Sequence, residues 1–207
     1  MVFLLVIFFL LQGLRVVWTP RKGFACGKTP AGGRKSGPTI AHDELAQSMT
    51  ALAPMRTEQF ARFRAELTSA YADDIVRSLR WAEEGALERS CAEFDRLLPQ
   101  AVATPGHHLY EILDEPAGQS IGFVWLGVLE SPGPPEGFLY NIRISPEFRG
   151  RGHAKAAMEL MEIEAAELGM AALNLHVFGF NTTAQALYRA LGYGITGFNM
   201  IKRFGHG

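Results

Sequence analysis

Residues 138–155, FLYNIRISPEFRGRGHAK, constrain the fold more than any other stretch of this chain. Phe138 to Ile144 reads as a buried strand, and Ser145-Pro146 ends it, because proline brings no N–H to a ladder. Ala157, Met158, Met161, Ala165 and Leu168 then recur at helical spacing, which predicts a helix over 152–168 closed by Gly169 at the C′ position. Leu173 to Phe178 is the next strand. Strand, helix and strand in that order form a βαβ unit, so the two strands should be parallel with a right-handed crossover.

The flanking sequence fits a mixed sheet around that unit. Thr57 is a candidate N-cap, and Phe60, Phe63, Leu67, Tyr71 and Ile75 follow at helical spacing. A second helix is predicted over about 83–98, with Ala86, Leu87, Cys91, Phe94 and Leu98 on one side and Pro99 as its stop. Thr50 to Ala53 makes a short first strand. His107 to Leu113 and Ser120 to Leu129 are strands joined by a turn at Asp114-Glu-Pro-Ala-Gly118. His107 and His108 read as surface strand residues. Ser131 to Gly137 is rich in proline and glycine and must be a loop. After Phe178 come a short helix over 182–191, closed by Gly192, and two short strands at about 193–197 and 199–204. The fold class is α/β: a mixed central sheet, two N-terminal helices and a βαβαββ C-terminal half.

Residues 1–48 are a different kind of polypeptide. They carry six basic and two acidic residues, a charge of +4, whereas the rest of the chain stands at −5. Met1 to Leu11 is an unbroken apolar run, too short for a span of about 20 residues unless Gln12, Gly13 and Arg15 are read through. No basic residue precedes it and no small-residue cleavage site follows, so a secretory signal fits poorly. Residues 19–40 have neither period and read as a linker. An anchor, an odd signal peptide and sequence upstream of the true start are the three readings. The third is favoured because Met49 and Met55 sit where patterned sequence begins. The domain is therefore expected at 49–207. Two cysteines provide no disulfide framework and point to a reducing, cytoplasmic setting. A net charge of −1 carries no nucleic-acid signature. No His/Cys/Asp/Glu cluster has zinc spacing, so no metal is expected.

Chemistry concentrates where the central strand meets its helix. The first N–H groups of a helix lack internal acceptors and carry positive potential. Gly150 and Gly152 allow close approach to that backbone, and Arg143, Arg149, Arg151 and Lys155 face only Glu147 in charge. Such a turn suits a pyrophosphate or similar anion. It is not a P-loop, because GxxxxGK[ST] is absent, and it is not the dinucleotide fingerprint GxGxxG.

Arg149-x-x-Gly152-x-Ala154 resembles the R/Q-x-x-G-x-G/A turn of the GCN5-related N-acetyltransferases. Downstream, Asn181-Thr-Thr-Ala184-Gln-Ala-Leu-Tyr188-Arg-Ala-Leu-Gly192-Tyr193 is similar to the N-x-x-A-x-x-L-Y-x-x-x-G-F/Y segment of the same superfamily. The resemblance implies acetyl-CoA as cosubstrate and an amine-bearing small molecule or peptide as acceptor. Neither nucleic acid nor membrane is expected as a partner, and a homodimer is compatible with it. The pyrophosphate would rest on the N–H groups of Gly150, Arg151, Gly152, His153 and Ala154, with Arg149 beside them. The pantetheine arm would run along the backbone of Ile142, Arg143 and Ile144, where this strand and the next splay apart. Asn181 and Tyr188 would meet the arm from the other side; seven helical residues turn about 700°, so both face one way. The resemblance further implies that acetyl transfer to a primary amine is direct in a ternary complex, Tyr188 protonating the departing thiolate. His176, expected beside Tyr188 with an ordinary pKa, is the candidate base. Tyr188 is otherwise a core aromatic, Asn181 a helix cap and His176 a structural histidine. A non-catalytic acyl-CoA-binding module of the same fold is the alternative function.

Overall fold

The computed structural model describes residues 50–115, 117–129, 133–202 and 204. The readings of residues 1–48 fall outside the described residues, as does Met49. The elements are β1 (Thr50–Pro54), α1 (Thr57–Arg77), α2 (Ala86–Leu97), β2 (His107–Asp114), β3 (Gln119–Leu129), β4 (Glu136–Ile144), α3 (His153–Glu167), β5 (Leu173–Leu175) and α4 (Thr182–Ala190). The strands lie in the sheet in the order β1-β2-β3-β4-β5. The first three pairings are antiparallel, and β4 with β5 is parallel, as the βαβ unit requires. The protein is the expected α/β fold with a mixed central sheet.

Alternation along β3 shows how the layers form. Phe123 and Trp125 point to one face, where they meet Phe63, Leu67 and Phe94 of α1 and α2. Val124 and Leu126 point to the other, against Ala157, Met158 and Met161 of α3 and Tyr188 of α4. With both faces covered, β3 can be apolar without interruption, which is how it reads in the sequence. Among the described residues no helix is long and apolar enough to cross a membrane.

Several local expectations are corrected. Thr57 is the first helical residue of α1 and the N-cap is Arg56, which makes no side-chain capping bond. His107 does not lie open on the surface: its Nδ1 accepts a hydrogen bond from Trp125 Nε1 at 2.9 Å, and its ring packs on Tyr140. The strand expected over 173–178 is only Leu173–Leu175. No strand forms over 193–202, where two were expected. Gly192, Gly194 and Gly197 fall within six residues there, and glycine gives a strand neither packing surface nor restraint. Ile195, Phe198, Met200 and Ile201 consequently stand exposed.

A bulge explains why β5 is short. The β3–β4 register shifts so that Trp125 pairs with Asn141 and Leu126 with Leu139, leaving Tyr140 as the extra residue. Bulges increase local twist and bend the strand. The β4–β5 ladder ends at Leu139 with Leu175, directly before that residue, although β4 itself continues to Ile144. The β4–β5 pairing stops there, while β4 runs on for five more residues.

Candidate active site

The outer end of β4 leads, through Pro146–Phe148, into the glycine turn. Gly150 and Gly152 adopt φ of +74° and +90°, left-handed values that side chains rarely tolerate, and a Cβ at either would point into open space. Gly152 is the N-cap of α3, and its carbonyl accepts from the N–H groups of Lys155 and Ala156. The N–H groups of Gly152, His153 and Ala154 are thus left without intrahelical acceptors at the positive end of a helix of 15 residues.

The side chains around this turn divide their work. Arg149 Nε donates to the Ile144 carbonyl at 2.9 Å, tying the turn to the last residue of β4. Arg151 Nη2 donates to the Glu147 carbonyl at 2.9 Å, its guanidinium 5.4 Å from the Phe148 ring centre. One N–H of each arginine shapes the loop, and a guanidinium has five. His153 turns inward: it is 4% exposed and its Nδ1 lies 2.9 Å from Thr50 Oγ1. Only its backbone N–H remains for a ligand. Arg143 departs from the basic group it was counted with. Its Nε lies 3.9 Å from Glu66 Oε2, across the sheet face covered by α1. Ile142 and Ile144 are buried against the α3 side, so only their backbones are candidates for contact with a cosubstrate.

Asn181 is the N-cap of α4, its side chain accepting from the Ala184 N–H at 3.2 Å. Tyr188 lies on the same helix, 3% exposed, its ring edge-on to Tyr193 at 5.8 Å between centres. Its hydroxyl is buried with no hydrogen-bond partner among the described residues. Burial pushes its pKa well above the usual tyrosine value, so the proton is retained at neutral pH. A buried, unpartnered O–H is costly unless something else completes it.

His176 does not lie beside Tyr188. Its ring packs on Phe178 at 5.2 Å, on the side of the sheet covered by α1 and α2, while Tyr188 belongs to the opposite cluster. Its pKa is not ordinary either. Burial, reinforced by the positive charge of Arg80, pulls it down to about 4. The sequence could show neither effect, because one depends on the face the residue takes beyond the end of β5 and the other on burial and the nearness of the distant Arg80.

That helix also brings a residue that sequence reasoning missed. Asp74 is 6% exposed, and burial raises its pKa to about 6, with Asp73 adding to the effect and Arg77 and Arg143 opposing it. One signal was available: Asp74 sits between Tyr71 and Ile75 on the apolar stripe of α1, a carboxylate where a hydrophobe belongs.

These two groups act in opposite directions on stability. His176 has a depressed folded pKa, so its contribution is present above pH 6.5 and lost as pH falls towards 4. Asp74 has a raised one, so folding gains as pH falls through about 6 towards 4. Each effect is on the order of 2 kcal/mol after allowing for partial exposure. Urea melts of His176→Gln from pH 4 to 7 should therefore show less loss of stability on acidification than the parent. Asp74→Asn should show more. Parallel curves for all three proteins would contradict both assignments.

Sequence comparison agrees with this geometry. The profile of the acetyltransferase (GNAT) family matches residues 73–193, from the end of α1 to just past α4. The chain belongs to the GNAT acetyltransferase family. It is 34% identical over 153 residues to the uncharacterized N-acetyltransferase YycN of Bacillus subtilis (strain 168), covering 73% of this chain and 97% of that protein. Identity to the uncharacterized N-acetyltransferase YdgE of the same strain is 32% over 152 residues, covering 73% and 96%. The crystal structure of YycN superposes with a TM-score of 0.72 at 32% identity, over 76% of this chain and 99% of that one.

Proposed function

We propose that this protein is an acetyl-CoA-dependent N-acetyltransferase that acts on a primary amine by direct attack in a ternary complex. The observation that carries the reading is the junction at the outer end of β4. There β4 outlasts its pairing with β5, which stops at Leu139, and after a short turn over Pro146–Phe148 the chain enters a helix N-terminus with open glycines. Residues 49–207 are the proposed catalytic domain. Family membership and the similarity to YycN and YdgE support an acyl transfer role.

Acetyl-CoA supplies an activated acetyl thioester. The N–H groups of Gly150 to Ala154 receive its pyrophosphate, with Arg149 and Arg151 adding charge, and the backbone of Ile142 to Ile144 aligns the arm. Asn181 holds the start of α4, so that Tyr188 meets the arm from the far side. The neutral amine attacks the carbonyl carbon, its lone pair becoming the new C–N bond as the C–S bond breaks. The sulfur leaves with its electron pair and takes the Tyr188 proton, and the attacking nitrogen loses one proton through water to solvent rather than to His176, whose lowered pKa makes it a weak acceptor. Tyr188 regains a proton from solvent, so charge and protons balance.

Thiol release from acetyl-CoA across a panel of amines tests the reading; no release above hydrolysis with any amine would reject it. The arginines give a second test. Arg149→Ala and Arg151→Ala should each weaken CoA binding severalfold and reduce its dependence on ionic strength, because partly exposed charges are screened by salt. Titration at low and high salt reads both effects. Unchanged salt dependence would remove the arginines from the site.

A further inference from the structure

Helix α1 presents Ala65, Glu66, Ser69, Ala70, Asp73 and Asp74 as one stripe, and Arg143 of β4 faces it across a cavity of about 520 Å³. The alanines and the serine leave room where larger side chains would fill the gap. Three carboxylates line the cavity against one guanidinium. Glu66 is already engaged, with Oε1 2.7 Å from Arg62 and Oε2 3.9 Å from Arg143. Asp74 is not. It is 6% exposed, and its Oδ2 is buried with no hydrogen-bond partner among the described residues. A buried carboxylate oxygen without a donor is destabilising, and an ammonium group entering the groove would supply one to Oδ2.

The place of the cavity gives this a use. Arg143 belongs to the outer end of β4, beyond the end of the β4–β5 ladder. Further along α1, the Arg77 guanidinium sits 4.2 Å from the ring centre of Phe180, in the segment after β5. Helix α1 therefore reaches from the outer end of β4 to the segment after β5 on the face opposite α3, where an amine would approach a thioester held along β4.

We infer that this cavity is the acceptor subsite for a second cationic group, and that the acceptor is a small aliphatic di- or polyamine whose distal ammonium pairs with Asp74. The inference rests on the transferase reading for its acceptor role, while the cation site stands on the cavity itself. The groove is open to solvent, and the small side chains of Ala65, Ser69 and Ala70 leave room along it for an alkyl chain with an ammonium end beside Asp74.

The test is calorimetric titration of the full chain with spermidine, 1,4-diaminobutane, butylamine and a lysine-containing tripeptide, followed by thiol-release assays with the same compounds. Spermidine should bind at least tenfold more tightly than butylamine. Asp74→Asn should abolish most of that preference, and Asp73→Asn, a change at an exposed position, should reduce it severalfold without risk to the fold. The CoA-induced rise in melting temperature should stay the same in both variants. Equal binding of spermidine and butylamine would overturn the inference, and so would a full preference in folded Asp74→Asn. A tripeptide that binds more tightly than spermidine would overturn the small-molecule assignment. Asp74-dependent spermidine binding without acetyl transfer would keep the cation site and reject the transferase reading. Transfer to monoamines with no polyamine preference would do the reverse.

Discussion

Replacing Tyr188 by phenylalanine should lower kcat by 10²–10⁴-fold, about 3–5 kcal/mol of barrier, while acetyl-CoA affinity stays within a factor of a few. The expected split follows from what the hydroxyl touches. It is buried and makes no hydrogen bond to the described residues, so its loss removes no structural contact. The ring stays packed against Tyr193, and removing an unsatisfied polar atom from the core leaves stability equal or higher. What disappears is the proton that a departing thiolate takes. Steady-state kinetics with one acceptor, together with CoA melting shifts, measures both sides. Near-normal kcat in the folded variant would make Tyr188 a core aromatic and favour the non-catalytic binding module.

The base separates cleanly from the acid in the same assay. Because His176 is held neutral down to about pH 4, it cannot produce an ascending limb between pH 5 and 8. The limb observed there should be the acceptor amine's own titration, and it should keep its midpoint in His176→Gln. A midpoint that moves with this substitution would restore an ordinary histidine at the site.

The parts legible in the sequence are those controlled by local chemistry. Gly150 and Gly152 announce the turn because only glycine accepts their φ values easily, and the period of Ala157, Met158 and Met161 gives α3 its buried face. Asn181 as a cap follows equally from its place before a helix. Parallel pairing of β4 with β5 follows from the intervening helix. What the sequence hid is set by packing between distant elements. Arg143 reads as part of a basic turn, yet one-residue alternation along β4 sends its side chain to the α1 face and Glu66. Neighbouring Ile142 and Ile144 go the other way. The bulge at Tyr140 has no local marker, because it arises from register with β3. His176 and Tyr188 are twelve residues apart in sequence but belong to opposite faces, since strand alternation rather than sequence distance decides the side. The apolar residues after Gly192 have strand-like composition, but three glycines leave the segment with too little to pair and pack.

Gly152→Val tests the anion site most severely. Two penalties act at this position. The first is conformational: φ of +90° suits glycine, and a β-branched residue there costs of order 1–3 kcal/mol before any ligand is considered. The second concerns the ligand. The Cβ meets no protein atom within 4 Å, so the added isopropyl group projects into the space in front of the turn, where phosphate oxygens must approach the N–H groups of His153 and Ala154. Loss of two charge-assisted hydrogen bonds at about 1.5–3 kcal/mol each corresponds to a fall in CoA affinity of roughly 10²–10⁴-fold. The two penalties are separable by thermal melting. The strain lowers the melting temperature of the free protein, whereas the blocked approach removes the increment added by CoA, about 2.7 kcal/mol at 100 times the dissociation constant. Gly150→Ala supplies the calibration: it carries a similar left-handed φ and open surroundings, but it precedes the helix and adds only a methyl group, so most of the CoA increment should survive. A full CoA increment in Gly152→Val, on a circular dichroism spectrum matching the parent, would mean that the pyrophosphate lies elsewhere and that the N-terminus of α3 serves only to cap the fold.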